Sequence, residues 1–417
     1  MNLNELYEKR NDFFVKESNG VRNTVYALGA IGLAALIFGF VKDPVRTWGA
    51  ILTNNIFFMY IALGGLILSS IQDTIGATWG RPIKRIMEAF GTFFTASATI
   101  SIVFLVCIKL KLLGAGEVYK WIANPSMLDH FPGKNVWLTQ DFFIIRNIIS
   151  LAIMLVLVQW SRKQNSLADH AFLSGKLNEA EQLGNLAKDR LRFWSGPVLF
   201  AYGLLFTFFA TDFTMSLSPL WFSTLWGGWS FAVLMQSLLA FTLILLYFFK
   251  KASFGAFISR SQFHDVGKLL HGFTAFWGYL TFSHILTYWY GNVPEETEYF
   301  IHRLHQPWMG MLIAVGIMAF VIPLFALIPK KAKWTFGLSF PIALCVLVAQ
   351  WLMHLIVVQP EVVKDPSSFG VPLVEIGVFL LFAAGFTYRV YSYGRKNMMV
   401  SLADPLLQKY LAEKDHH

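Results

Sequence analysis

Cysteine is nearly absent from this chain, at 2 of 417 residues, and each of the two, Cys107 and Cys345, stands alone in an apolar stretch. That leaves no Cys-x-x-Cys-His for covalent haem and no cysteine set for an iron–sulfur cluster. Both cysteines read as small buried apolar residues. Charge is scarce as well: 14% of residues are charged, against roughly 25% in a soluble domain. Neither a Gly-x-Gly-x-x-Gly nor a Gly-x-x-x-x-Gly-Lys loop occurs between a strand and a helix, which argues against soluble nucleotide chemistry. The first 20 residues, from Asn2 through Glu5, Lys9 and Asp12, are polar and mixed in charge. No cleavable signal is expected there, so the first apolar block should remain as a membrane helix.

Apolar residues are abundant instead: 55% of the chain, with 40 Phe and 14 Trp, and a mean hydropathy of +0.52. They come in blocks of about 20, the length a helix rising 1.5 Å per residue needs to cross a ~30 Å hydrocarbon core. Ten candidate spans result, at about 22–41, 53–73, 83–108, 141–161, 193–214, 221–249, 264–291, 303–328, 334–358 and 370–391. The fold class is therefore an all-α polytopic membrane protein. The stretch 162–192 is too polar to span and reads as an amphipathic surface helix. Of the 34 Lys and Arg residues, 23 fall in the tails and loops on the side of the N-terminus and 8 in the opposite loops. That bias predicts cytoplasmic N- and C-termini and accounts for the net charge of +9 without any nucleic-acid partner.

Ionisable residues within spans cost at least ~2.5–3.5 kcal/mol to insert, so they usually face a bundle interior or a wet path. Glu88 opens the third span and is followed by Thr92, Thr95 and Thr99, a spacing that keeps all four on one helical stripe. The stripe reads as a proton path; the competing reading pairs Glu88 with Arg85 and uses the threonines for helix packing. The seventh span opens with His264, Asp265, Lys268 and His271, where Asp265 and Lys268 can pair at i, i+3. Histidines there would relay protons near neutrality, or the group is a helix-end charge cluster. His284 lies roughly 200° around the helix from His264, so no single stripe runs end to end. A second set occupies the opposite half: Asp141, Arg146, Asp212, His305, His354 and Glu375. With His284 these are candidates for an outer half-path or a quinol headgroup pocket, whose hydroxyls need proton acceptors, or for a surface that meets a partner. No catalytic residue and no metal site is expected.

Several stretches carry a family resemblance. The outer turn Ala210 to Thr224 contains Thr211-Asp212-Phe213 and Ser218-Pro219-Leu220-Trp221. The segment Phe263-His264-Asp265-Val266-Gly267-Lys268 continues through Trp277, Tyr288-Trp289-Tyr290 and Asn292 to Thr297. With Trp79-Gly80-Arg81-Pro82 and Glu88, these resemble ActF, the second NrfD-like (polysulfide-reductase-like) membrane subunit of bacterial alternative complex III. The likeness covers most of the spanning region and is weak in the first span, the 162–192 loop and the tail. It implies a subunit of a quinol:cytochrome c oxidoreductase in the respiratory electron-transport chain of the bacterial inner membrane. It further implies two four-helix bundles, 53–214 and 215–358, flanked by a first span within 22–52 and a tenth within 359–391. The tails are 1–21 and 392–417. The implied partners are membrane lipid, a sister NrfD-like subunit, multihaem and monohaem cytochrome c subunits and an iron–sulfur subunit. Haem c and iron–sulfur clusters would then belong to the partners, with no redox centre in this chain. It would supply a proton-translocation path, with quinol or quinone as a candidate ligand. Two other classes stand beside this one: a purely structural anchor, and an independent secondary transporter, for which Pro197, Pro323 and Pro341 offer no matched pair of broken helices.

Overall fold

The computed structural model describes residues 3–129, 132–363, 365–366 and 369–415, and of Leu3, Pro132, Glu295, Lys414 and Asp415 the backbone only. Asn2, at the start of the polar tail, lies outside the described residues, as does Lys364 in the last outer loop. Among the described residues there is no strand, and nine helices are long and apolar enough to cross a membrane. The crossing helices are α1 (Asn19–Lys42), α2 (Pro44–Ile75), α3 (Arg81–Lys109), α4 (Gln140–Asn165) and α5 (Leu177–Phe213). They continue with α6 (Trp226–Phe249), α7 (Arg260–Gly291), α8 (Trp308–Ala326), α9 (Phe336–Val362) and α10 (Leu373–Lys396).

The helix outside the set of nine is α7, 32 residues long but too polar in composition. Counted with the nine candidates it makes an even number of crossings, the parity that the terminal contacts favour. Val15 N–H donates to the Gly394 carbonyl at 2.9 Å, Met399 N–H to Phe13 at 2.8 Å, and Arg395 pairs with Glu17 at 2.9 Å. The two terminal segments therefore share one face, which requires an even number of crossings. That face is called terminal below, and the opposite one far.

Local signals set the helix ends. Ser18 caps α1 through its side chain, Asp43 caps α2 with Pro44 in its first turn, and Ser259 with Gln262 closes a capping box on α7. Gly76, at φ +61°, ends α2 in the left-handed conformation that glycine adopts without a Cβ clash. Two boundaries differ from the sequence reading. The polar stretch after residue 176 is the first half of α5, a single 37-residue helix, because no cap or helix-ending proline separates it from the apolar half. Residues Pro294–Leu304 form a separate helix on the far face, so the eighth crossing begins only at Trp308.

Helices α2 to α5 pack around one another in a ring, as do α6 to α9, while α1 and α10 pair outside and lean on α2. α2 is the hub, buried along almost its whole length and touching α3, α5, α6, α9 and α10. The α1–α10 pair closes through small residues: a Cβ on Gly377 would lie 2.1 Å from that of Ala35. Backbones approach this closely in membranes only where side chains are missing.

Prolines inside spans leave carbonyls that the helix cannot satisfy, and polar side chains from neighbours take over. Pro323 has no N–H for the Ala319 carbonyl, which lies in the π-helical turn Gly316–Val321 of α8. Gln236 of α6 donates to that carbonyl at 2.7 Å and to Thr274 of α7 at 3.0 Å. Pro360 likewise frees the Ile356 carbonyl in α9, and Arg303 donates to it at 3.1 Å.

Candidate functional site

On the terminal face, the first turns of α3 bring Arg81, Lys84, Arg85 and Glu88 into the protein interior, each at most 3% exposed. They stay buried because three neighbouring segments supply counter-charges. Asp73 of α2 accepts from Arg81 at 2.8 Å and from Lys84 at 2.7 and 2.9 Å. Asp169, just after α4, accepts from Arg85 at 2.8 and 2.9 Å. Asp404 of the C-terminal segment reaches Arg81 at 3.3 Å, and Tyr393 of α10 accepts from Arg85 at 3.2 Å.

Glu88 is the least well served member. Its Oε1 accepts from Ser69 at 3.3 Å and is 3.9 Å from Lys84 Nζ; its Oε2 is 3.8 Å from Arg85 and has no hydrogen-bond partner. Arg81, Lys84 and Arg85 here face the carboxylates of Asp73, Glu88, Asp169 and Asp404, and Lys188 lines the adjoining cleft beside Asp404. A fully buried carboxylate with an orphan oxygen is a costly arrangement for a purely structural group. A small cleft of about 20 Å³, lined by Arg81, Lys84, Asn165, Ser401 and Asp404, leads to this cluster.

The threonines do not continue from Glu88 as a buried stripe. Residues 91–93 form a turn that interrupts α3, and this rotates the next helical segment. Thr92 is buried and donates to Ala89, Thr95 is half-buried, and Thr99 is exposed and donates to the Thr95 carbonyl. The interior polar groups on this helix are Ser97 and Ser101, which bond Asn55 at 2.6 and 2.8 Å. Asn55 is 14 residues from Ser69 along α2, roughly 21 Å at 1.5 Å per residue. The rings of Phe58, Phe90 and Phe93 pack with Phe386 of the flanking α10, with centroids 5.3–6.0 Å apart.

Asp265, Lys268 and His271 sit at the rim of the terminal face. Lys268 is exposed and pairs with Asp265 at 2.8 Å, and Ser261 donates to Asp265 at 3.2 Å. His271 is half-buried, and its Nδ1 has no hydrogen-bond partner.

The far-half residues do not converge on one pocket. Arg146 and Asp212 form a bidentate pair at 2.7 and 2.8 Å, joined by Asn147 at 2.8 Å and stacked under Trp137. Glu375 is fully buried and accepts from Arg46 at 2.8 and 3.1 Å. Asp141 pairs with Lys109 at an exposed position, and His305 is exposed. His354 contacts the Gln350 carbonyl through Nδ1 at 2.7 Å and packs edge-on against Tyr60. His284 lies among Trp221, Trp226 and Trp229, with Nε2 unpartnered.

Sequence reasoning passed over a third far-face site. Glu361 accepts from Arg303 at 3.1 Å and from Lys120 at 2.8 Å, and the Arg303 guanidinium stacks on Tyr299 at 3.5 Å. Tyr299 in turn stacks on Trp221 at 3.9 Å, and burial pushes its hydroxyl up to about 12. Lys84 beside Glu88, and Asp73 and Asp169 as counter-ions of the neighbouring Arg81, Lys84 and Arg85, were also passed over. Nothing in local spacing joins α2, the end of α4 and the C-terminal segment. No protein-family model matches the chain, and no curated protein matches it.

Proposed function

We propose that this chain is a membrane subunit of a quinol:cytochrome c oxidoreductase of the alternative complex III type, holding the ActF position. In this reading it carries no redox centre and moves protons, and haem c and iron–sulfur clusters reside in its partners. The terminal face is the cytoplasmic one, as the Lys and Arg distribution favours. The observation that carries the proton role is Glu88: fully buried, with an orphan Oε2, and 3.9 Å from Lys84, which lines a cleft on the terminal face. Lys84 lines that cleft and approaches Glu88, which makes it the local bridge between solvent and the buried acid.

The aromatic packing beyond Glu88 and the absence of a buried threonine stripe favour a second reading, a structural anchor for redox subunits. Proton passage would require water to enter between those rings during turnover. A quinone-facing surface among Arg146, Asp212, His284, His305, His354 and Glu375 would have to use one of their separate environments, not a shared pocket.

Purification in mild detergent tests the complex. Co-purification of subunits with c-type haem and iron–sulfur absorption is expected, in a fixed ratio to this chain. A chain that purifies alone under conditions preserving its fold, and transports a solute in vesicles, would overturn the reading.

A further inference from the structure

The segment that follows α10 packs tightly on the terminal face. Met398, Met399, Val400, Leu402, Ala403 and Leu407 are each at most 3% exposed, and burial of these apolar side chains holds it there. It starts beside Phe13, whose carbonyl accepts from Met399 N–H, and ends in the helix Pro405–Asp415. Between these points Arg85 donates to Ser401 at 3.4 Å and Arg81 to Asp404 at 3.3 Å. Farther on, Gln262 in the first turn of α7 donates to the Tyr410 hydroxyl at 2.8 Å. The segment is therefore pinned to both bundles, with the first turns of α3 beneath its middle. Its fit is closest at Gly184 of α5, where a Cβ would lie 2.0 Å from the Ala403 carbonyl oxygen. Ser401, Ala403 and Asp404 share the lining of the cleft to Lys84 with Gly184, Ala187 and Lys188 of α5. Closed in this way the cleft measures about 20 Å³, room for one water molecule at the ~10–15 Å³ that a water needs.

We propose that residues 401–413 form a strap that closes the terminal-face entrance to the Glu88 cluster, with Asp404 as its latch on Arg81. The side chains of Asp404 and Arg81 are 14% and 3% exposed, so this pair is shielded from solvent and holds more firmly than a surface pair. Arg81 keeps Asp73 at 2.8 Å when the latch opens, and Asp404 moves into water, so release strands no charge. Lifting the strap exposes Leu402 and Ala403, which keeps the closed form dominant. As a cover over the cleft, the strap stands on these contacts alone; as a control on proton entry, it rests on the proton role of Glu88.

Cysteine labelling of the full chain, with Cys107 and Cys345 replaced by alanine, tests it. Ala187→Cys reports from inside the cleft, where Ala187 is 8% exposed. Leu186→Cys, at a neighbouring position 40% exposed, is the reference. A charged methanethiosulfonate should label position 186 fast and position 187 slowly. Asp404→Ala should speed labelling at 187 about tenfold, the weakening expected for one charge-assisted hydrogen bond. Gly184→Ala suits the helix but drives a Cβ into the Ala403 carbonyl, so it should speed labelling at 187 further. Both should leave the rate at 186 unchanged, which reports that α5 keeps its fold. Truncation after Val400 removes the strap and should bring the rate at 187 near that at 186. Equal rates at 186 and 187 in the otherwise unaltered chain, or a rate at 187 that none of the three changes moves, would overturn the strap. Faster labelling with an unchanged proton-to-electron ratio in the intact complex would keep the strap and remove its link to proton entry.

Discussion

Asp212→Ala should be among the most destabilising single changes in the chain. Asp212 is fully buried and accepts two hydrogen bonds from Arg146 and one from Asn147. Removing it leaves the Arg146 guanidinium, 9% exposed, without its counter-ion. Breaking a buried pair from one side costs about 3–5 kcal/mol, because the remaining charge is stranded in a low-dielectric site. Arg146 keeps the Trp137 carbonyl at 3.2 Å and the rings of Trp137 and Phe142, which cannot offset that charge. Replacing both partners, as in Arg146→Met with Asp212→Leu, removes the charges together and should recover most of the loss. Unfolding in mixed detergent micelles by an SDS titration, followed by tryptophan fluorescence, gives the values for Asp212→Ala, for the single changes Arg146→Met and Asp212→Leu, and for the double variant, from which the coupling energy follows. A coupling energy near zero, with Asp212→Ala within about 0.5 kcal/mol of wild type as for a plain surface change, would refute the reasoning.

Three further outcomes are expected. Gln236→Leu orphans the Ala319 carbonyl in the π-helical turn and should cost about 1–3 kcal/mol in the same titration. Gly377→Val drives a side chain into Ala35 and should loosen the α1–α10 pair, read as faster disulfide cross-linking of introduced cysteines to lipid-side probes, with a stability loss of about 1–3 kcal/mol. Tyr299 has its hydroxyl raised from 10.0 to about 12 by burial. Its neutral form therefore contributes stability that is fully present below pH 10 and is lost as pH rises toward 12. Tyr299→Phe should flatten the alkaline fall in thermal stability over that window; an unchanged fall would assign it to other groups.

The spans were legible because hydropathy reports directly on the solvent a helix faces: each of the ten blocks falls on a helix, and nine of those helices are long and apolar enough to cross. Even α7, too polar for a simple composition test, was visible as a long apolar-aromatic block with its polar end at His264–Lys268. The course of 177–213 was not: a polar half and an apolar half look like two elements unless it is known that the helix runs on through Pro197. The site was half visible. Glu88 stood out as an ionisable residue in a span, but the threonine stripe assumed a straight helix, and the turn at 91–93 broke the register. Far-half residues were recognised by type, yet their separation into Arg46–Glu375, Arg146–Asp212 and Arg303–Glu361 depends on tertiary contacts that spacing does not encode.

Proton release per electron, measured with the intact complex in sealed vesicles during quinol oxidation, tests the central claim most directly. Glu88→Gln keeps the volume of the side chain and its contact with Ser69 but removes the titratable group. Transfer through this residue predicts a lower proton-to-electron ratio with electron transfer and assembly retained, and partial recovery in Glu88→Asp. An unchanged ratio in Glu88→Gln, and likewise in Asp265→Asn, would contradict it and leave the chain as an anchor.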